Sequence, residues 1–404
     1  MLKSIFITFA MATVADAAEF RFSEESAVDR ALAHNPGLVA ARLRIDEAKG
    51  RLRQSGRLSN PELEVELSRN VRAPEGAWSV GFKQQFPLTA RLRLEKAISS
   101  AELAAAVAEV RNEERKLVGQ VRTAAVKVLA LKSQRAAREK QLATSRELAG
   151  FMGKRVEAGE ASILDTTQVQ LESRQLETEL LQLDLERVAL LGDLRPLLGL
   201  SADANLAITG ELASPSRLPS GGVNPDARAD FAAAQSNIEA AEQSVKLARA
   251  QKWADFGVGL NVQHERSEDV PEGFERDTFV GLAFSLPLPL WNRNDGRVDE
   301  TVAAAARARK EAEALAVNIR AEAATARGQM AVLAQVLAKL DDELVPAAAR
   351  LEEQFRLNYA TGLTPLPEVL RARTRRLDVE RQRLDALRDY HLARVRFKTA
   401  TGTR

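Results

Sequence analysis

Phe256-Gly257-Val258-Gly259-Leu260-Asn261-Val262-Gln263 and Phe279-Val280-Gly281-Leu282-Ala283-Phe284-Ser285-Leu286 stand out from an otherwise helical composition by their strict alternation. In the first, Phe256, Val258, Leu260 and Val262 alternate with Gly257, Gly259, Asn261 and Gln263. In the second, Val280, Leu282, Phe284 and Leu286 alternate with Phe279, Gly281, Ala283 and Ser285. A period of two, with one apolar face and one polar or small face, suits a strand standing between lipid and water. The pattern also occurs earlier. Leu63, Val65 and Leu67 alternate with Glu64, Glu66 and Ser68, and Trp78, Val80 and Phe82 alternate with Ser79, Gly81 and Lys83. Each of the four runs, about 61–70, 77–87, 255–264 and 278–287, approaches the ~9 to 11 residues a tilted strand needs to cross a bilayer. Trp78, Trp253 and Trp291 stand at or beside strand ends, where an interfacial aromatic belt belongs.

Outside these runs the chain reads as helix. Charged residues are 28% and aromatic residues 5% of the 404, and long tracts are built from Ala, Leu, Glu, Arg and Gln, the usage of long helices and coiled coils. No proline falls between Pro87 and Pro196, so residues 88–152 are predicted as one helix, roughly 95 to 100 Å long at ~1.5 Å per residue. A helix of that length packs as a coiled coil, with Leu and Val on the seam and charges outside.

The chain also repeats itself. Asn35-Pro36 recurs as Asn224-Pro225, Val80-Gly81-Phe82 with Phe86-Pro87 recurs as Val280-Gly281-Leu282 with Leu286-Pro287, and Gly159 and Gly199 recur as Gly362 and Gly402. The order is kept while the offset drifts slowly, the signature of tandem duplication. We therefore expect two structural repeats, 26–200 and 224–402, joined by a linker over 201–223. The first holds strands at about 61–70 and 77–87 and long helices at about 88–152 and 160–199. The second holds strands at about 255–264 and 278–287 and long helices at about 295–358 and 365–400. At the N-terminus, Lys3, the apolar run Ser4–Val14 and Ala15-Asp16-Ala17 read as a secretory signal peptide over 1–18.

After residue 18 no apolar run approaches the ~20 residues of a transmembrane helix, so if the mature chain enters a membrane it must do so as a β-barrel. Four strands leave open edges that hydrocarbon does not tolerate, so several copies must complete the barrel. Two copies give eight strands, a barrel filled by its own side chains. Three give twelve and leave a lumen for the polar faces to line. The fold expected is mainly α with a transmembrane β-barrel: four barrel strands and two long helical hairpins per protomer, in a trimer.

Several functions are excluded by composition. Net charge is +2, and the arginines at 371, 373, 375, 376, 381 and 383 are interleaved with Asp378, Glu380 and Asp385, which reads as a solvated coiled-coil face and not a nucleic-acid arm. Cysteine is absent, which removes disulfides, thiolate metal sites and a lipid-carrying N-terminal cysteine. The three histidines, His34, His264 and His391, are far apart in sequence, so no metal site is expected. No nucleophile elbow, phosphate loop or zincin motif occurs, and neither a catalytic residue nor a cofactor is expected.

The duplicated order, the Asn-Pro openings and the hairpin-tip glycines resemble the TolC family of outer-membrane factors over essentially the whole mature chain. Ser285-Leu286-Pro287-Leu288-Pro289-Leu290-Trp291-Asn292-Arg293-Asn294-Asp295-Gly296 is most similar to its CzcC-like, heavy-metal branch. Two features depart from that branch: the missing N-terminal cysteine, and Thr89-Ala90-Arg91 where relatives often carry Gly-Lys-Arg. The resemblance implies a passive outer-membrane exit duct with its helical part in the periplasm. It also implies a homotrimer docked, through a periplasmic adaptor, on an inner-membrane RND-type pump, with divalent heavy-metal cations as cargo. Multidrug or other organic efflux is the alternative cargo; a secreted non-pore coiled-coil scaffold and a periplasmic adaptor are the alternative classes.

The same resemblance places function at the hairpin tips. Arg155, Gly159, Ser162, Gly362 and Thr364 are candidates for adaptor contact, and each glycine also suits a left-handed turn. Asp165 and Glu368 each lie six residues beyond a tip glycine, and an inward carboxylate repeated by three-fold symmetry would form a cation-attracting ring. Family members carry a second acid three residues after the place of Glu368, where this chain has Arg371. Tyr359 matches a tyrosine that ties neighbouring coils in the closed state, which makes a Tyr359–Asp165 hydrogen bond the expected gate latch.

Overall fold

The computed structural model describes residues 19–72, 75–159, 162–215, 218, 223–269 and 273–402. The expected signal peptide lies outside the described residues. In chain order the elements are β1 (Phe20–Phe22), α1 (Glu24–His34), α2 (Pro36–Gln54), β2 (Glu62–Arg69), β3 (Gly76–Phe86), α3 (Arg91–Glu157), α4 (Ile163–Leu197) and β4 (Leu206–Ile208). A 3₁₀ turn (Pro225–Ala227) then precedes α5 (Ala229–Ala250), β5 (Phe256–Asp269), β6 (Gly273–Ser285) and α6 (Asp295–Lys339). A π turn (Leu340–Leu344) leads into α7 (Val345–Ala360), and α8 (Leu366–Thr401) ends the chain. Among the described residues no helix is long and apolar enough to cross a membrane.

The chain divides into two units. One comprises residues 40–113 and 224–320. Its centre is an antiparallel sheet in the order β2-β3-β5-β6, so β2 and β6 are free edges within one chain. Register aligns the alternating faces across all four strands. Leu63, Phe82, Leu260 and Leu282 form one continuous row, and Val65, Val80, Val262 and Val280 the next. The opposite face carries Glu64, Gly81, Asn261 and Gly281, with Phe279 as an apolar exception two residues away. The apolar rows are bare in a single chain: Leu63 is 69% exposed, Val280 71% and Leu282 84%. Leaving each such side chain in water forgoes roughly 1.5 to 3 kcal/mol, which is why this face requires a nonaqueous neighbour.

β5 and β6 run past the predicted limits into a charged hairpin, 265–269 against 273–277. Alternation of apolar and polar residues stops there, so hydrophobic pattern alone does not extend the strand. At the sheet's other end Arg91 opens α3 and donates from Nε and Nη2 to the Asp255 carboxylate at 3.2 and 2.5 Å, fixing α3 to the start of β5. This gives a structural role to one residue of Thr89-Ala90-Arg91.

The second unit contains the remaining described helices and helix segments. The Asn-Pro opening has a mechanical reason here. Asn35 ends α1, and its Oδ1 accepts the Leu38 N–H at 2.9 Å while Pro36 starts α2 with the φ a helix requires. Its Nδ2 donates to the carbonyls of Pro196 and Leu197 at 3.3 and 3.1 Å, tying the start of the repeat to its end. In the first unit Asn224 does the local part of the same work, accepting the Asp226 N–H at 3.0 Å.

Where the second unit's helices meet, Met330, Leu337, Leu340, Ala348, Val379 and Tyr390 are buried together. β1 and β4 add a short parallel pair that sequence pattern did not announce, since three residues carry no period. The long helix expected over 295–358 is interrupted. Pro346 has no N–H to give and its ring crowds the carbonyl four residues back, and the wide turn at Leu340–Leu344, closed by Val345 N–H on Leu340 O, absorbs both faults.

Candidate functional site

The two hairpin tips lie in the same unit and pack together. α7 ends in a Schellman cap: Gly362 N–H donates to Tyr359 O at 3.0 Å and Leu363 N–H to Asn358 O at 2.9 Å. That cap needs a left-handed residue, and Gly362 has φ 78°; Gly159 ends α3 with φ 74°. An added Cβ would meet nothing within 4 Å at either glycine, so conformation and not space selects glycine there. Ser162 caps α4, its hydroxyl accepting the Leu164 N–H at 3.2 Å. Thr364 is half-buried just before α8.

Met152, Val169, Leu366 and Leu370 form a buried apolar plug behind the tips, with Tyr359 packed against it. The expected Tyr359–Asp165 hydrogen bond is not present within this chain: Tyr359 Oη donates to Met152 Sδ at 3.2 Å. The cause is packing, since the ring lies on the plug and its hydroxyl reaches the thioether there. Arg155 completes the arrangement, its guanidinium carbon 5.8 Å from the Tyr359 ring centre and 5.9 Å from that of Phe151.

Of the two tip carboxylates, Glu368 accepts from Arg371 Nη1 at 2.6 Å, a pair spaced three residues apart on α8. The charge of Glu368 is therefore balanced locally. Asp165 sits half-buried in the first turn of α4, where the helix dipole favours an acid.

A polar layer behind the plug was not foreseen. Arg373, counted with the solvated arginines in the sequence, is 5% exposed. Its Nη2 donates to the Gln141 carbonyl at 2.9 Å and its Nε stands 3.8 Å from Glu172 Oε1. Burial pushes the Glu172 carboxyl up from its ordinary value, against the lowering influence of Arg373. Beside it Ser173 Oγ donates to Ser145 Oγ at 2.9 Å, and Ser145 has no exposure. In a composition so rich in surface arginine, no sequence signal marks the one that goes inside. Among the described residues no group of His, Asp and Glu is placed to hold a metal ion.

Comparison with known proteins adds four findings. A model of the outer membrane efflux protein family matches residues 27–200 and 226–403. The cobalt-zinc-cadmium resistance protein CzcC of Cupriavidus metallidurans is 24% identical over 398 residues, covering 94% of this chain and 86% of that protein. The outer membrane protein VceC of Vibrio cholerae shares the fold with TM-score 0.77 at 22% identity, over 94% of this chain and 96% of that one. CusC, studied for conformational change on folding and transmembrane channel formation, aligns with TM-score 0.78 at 17% identity, over 97% and 96% of the two chains.

Proposed function

The chain belongs to the outer membrane efflux protein family, and from that premise we propose that it is the exit duct of a tripartite RND-type system that expels divalent heavy-metal cations. It is a passive duct of the outer membrane and not an enzyme. One observation carries the reading: a four-stranded sheet with continuous apolar rows on one face, small and polar residues on the other, and both edges free. Three copies joined edge to edge make a twelve-stranded barrel whose greasy face meets lipid and whose other face lines water.

The wet face favours cations. Glu62, Glu64 and Glu66 project from β2 to the side opposite the apolar rows, and Lys83 stands across from Glu62. Three-fold repetition turns the column into acidic rings. At the tips the pairing of Glu368 with Arg371 leaves Asp165 as the acid that shapes the entrance. Arg155, Gly159, Ser162, Gly362 and Thr364 present the surface for a periplasmic adaptor, which couples the duct to the inner-membrane pump. Tyr359 holds its own hairpin on the apolar plug, so its part in gating is to set the closed packing of the tips, and an intersubunit bond to Asp165 would have to form at the expense of Met152.

The cargo follows the named resistance of the CzcC relative. Deleting the gene and measuring growth against zinc, cobalt, cadmium, copper and a panel of drugs tests it. Sensitivity to the metals with unchanged drug tolerance is the expected result. Sensitivity confined to drugs would replace metal with organic cargo.

A further inference from the structure

The sheet's apolar face does not end at its aromatic row. Successive rows on that face are Leu63-Phe82-Leu260-Leu282, Val65-Val80-Val262-Val280, Leu67-Trp78-His264-Thr278 and then Arg69-Gly76-Arg266-Arg276. One step of two residues, about 7 Å along the strands, therefore leads from tryptophan to a row holding three arginines and a glycine. From Phe86 to Trp78 the strand runs about 27 Å, or roughly 20 Å of height at barrel tilt, so the arginines stand just outside the hydrocarbon.

We propose that Arg69, Arg266 and Arg276 form a binding site for the phosphate groups of outer-leaflet lipid. The inference rests on the barrel reading, because that reading turns this face to lipid. Connectivity fixes the leaflet: the opposite ends of these strands continue to helices, which this family holds in the periplasm, so the turn end bearing the arginines faces outward.

Three observations point to a phosphorylated lipid. Arg266 and Arg276 are direct cross-strand partners; like charges placed opposite each other destabilise a sheet, and an anion seated between them would relieve that repulsion. Among the described residues none of the three makes an ion pair or side-chain hydrogen bond. The acid on the same face, Glu268, is opposite Phe274 in the next row. The Arg266 guanidinium lies 4.4 Å from the Phe274 ring centre and its Nε is buried without a partner, so it is held ready at the rim. A guanidinium fork donates two parallel hydrogen bonds to a phosphate, and its apolar stem lies comfortably against acyl chain. Closure of the barrel would bring Arg69 of one copy towards Arg276 of the next and extend the row into a belt.

The test uses the full trimer in vesicles of zwitterionic phospholipid doped with diphosphorylated lipid A or with its dephosphorylated form. Lipid retained after extraction is counted by native mass spectrometry. Wild type should keep about tenfold more of the diphosphorylated form, and the Arg69→Gln/Arg266→Gln/Arg276→Gln variant should lose that preference, while Lys83→Gln on the wet face keeps it. Millimolar inorganic phosphate should not displace the lipid. Equal retention of the two lipids by wild type overturns the site even where the triple variant fails to fold. Equal loss in Lys83→Gln, an unchanged triple variant, or displacement by inorganic phosphate also overturns it. Should wild type insert into neither vesicle, the barrel reading falls, and this site with it; insertion without discrimination removes the site alone.

Discussion

The two long segments 91–157 and 295–360 reach nearly the same length by different means. The first is one uninterrupted α-helix, and the second is α6, a π turn and α7. The difference begins with a single residue. Pro346 forbids regular bonding in the second segment, whereas no proline falls within the first. The two hairpins also carry opposite charge polarity. In the first, arginines of α3 reach acids of α4: Arg135 to Asp184, Arg138 to Glu179 and Arg146 to Glu177 at 3.0, 2.9 and 2.6 Å. In the second, acids come first and α8 supplies the arginines, Asp341 with Arg383 and Glu352 with Arg376. A duplicated fold thus keeps its outline while exchanging which helix is basic. The inversion lets α8 answer acids on α7 and, through Arg373, on α4.

The largest expected effect comes from copying the fault of one segment into the other. Ala143→Pro, at the place in α3 that the repeat offset assigns to Pro346, should cost about 3 kcal/mol or more, because α3 has no wide turn to receive it. Pro346→Ala should instead slow hydrogen exchange over 340–350, since a regular helix becomes available. Equal tolerance of both changes would mean that the π turn is not a response to proline.

Next in size is Arg373→Leu, which leaves the half-buried Glu172 without its cation and should cost about 1 to 3 kcal/mol at neutral pH, read as faster exchange in α8. The sign with pH is fixed by the raised Glu172 carboxyl. Its favourable contribution is complete below the ordinary value of 4.5 and is lost as pH rises through the higher folded value. The deficit of Arg373→Leu should therefore shrink on acidification, and a deficit independent of pH would show that Glu172 does not feel Arg373.

Gly159→Ala and Gly362→Ala should each cost about 1 to 2 kcal/mol, because both positions are left-handed and neither is crowded. A cost near zero at either position, read from hydrogen exchange around the tip, would show that its left-handed φ is not what selects glycine there. The smallest effect belongs to the exposed pair Arg146–Glu177, where Arg146→Ala should change stability by less than about 1 kcal/mol. A larger loss would mean that charge polarity, and not the apolar seam, holds the first hairpin.

What was legible in the sequence follows the same physics. The four strands could be read because a sheet between lipid and water imposes a period of two, and Leu63, Val65, Val80 and Leu282 obey it. Helix was legible from composition and from the missing prolines. The charged strand ends 265–269 and 273–277 were not, because strands beyond the lipid are freed from that alternation. The tip was half legible: Gly159 and Gly362 announce turns by residue type, while the choice of Met152 over Asp165 by Tyr359 depends on a plug assembled from α3, α4 and α8. Arg373 could not be singled out, since burial distinguishes it from Arg371 and Arg375 and nothing local does.

Edge closure between copies is tested most directly by cysteine pairing, for which the native chain offers a clean background, having no cysteine of its own. Within one chain Val65 on β2 and Val280 on β6 are separated by Val80 and Val262, about 14 Å apart and beyond disulfide reach. With Val65→Cys fixed and single cysteines scanned through 276–284 of β6, oxidation in the outer membrane should yield a ladder ending at three linked chains at one register. No crosslink at any register in membrane-inserted protein, or a ladder that stops at two chains or runs beyond three, would contradict the twelve-stranded barrel.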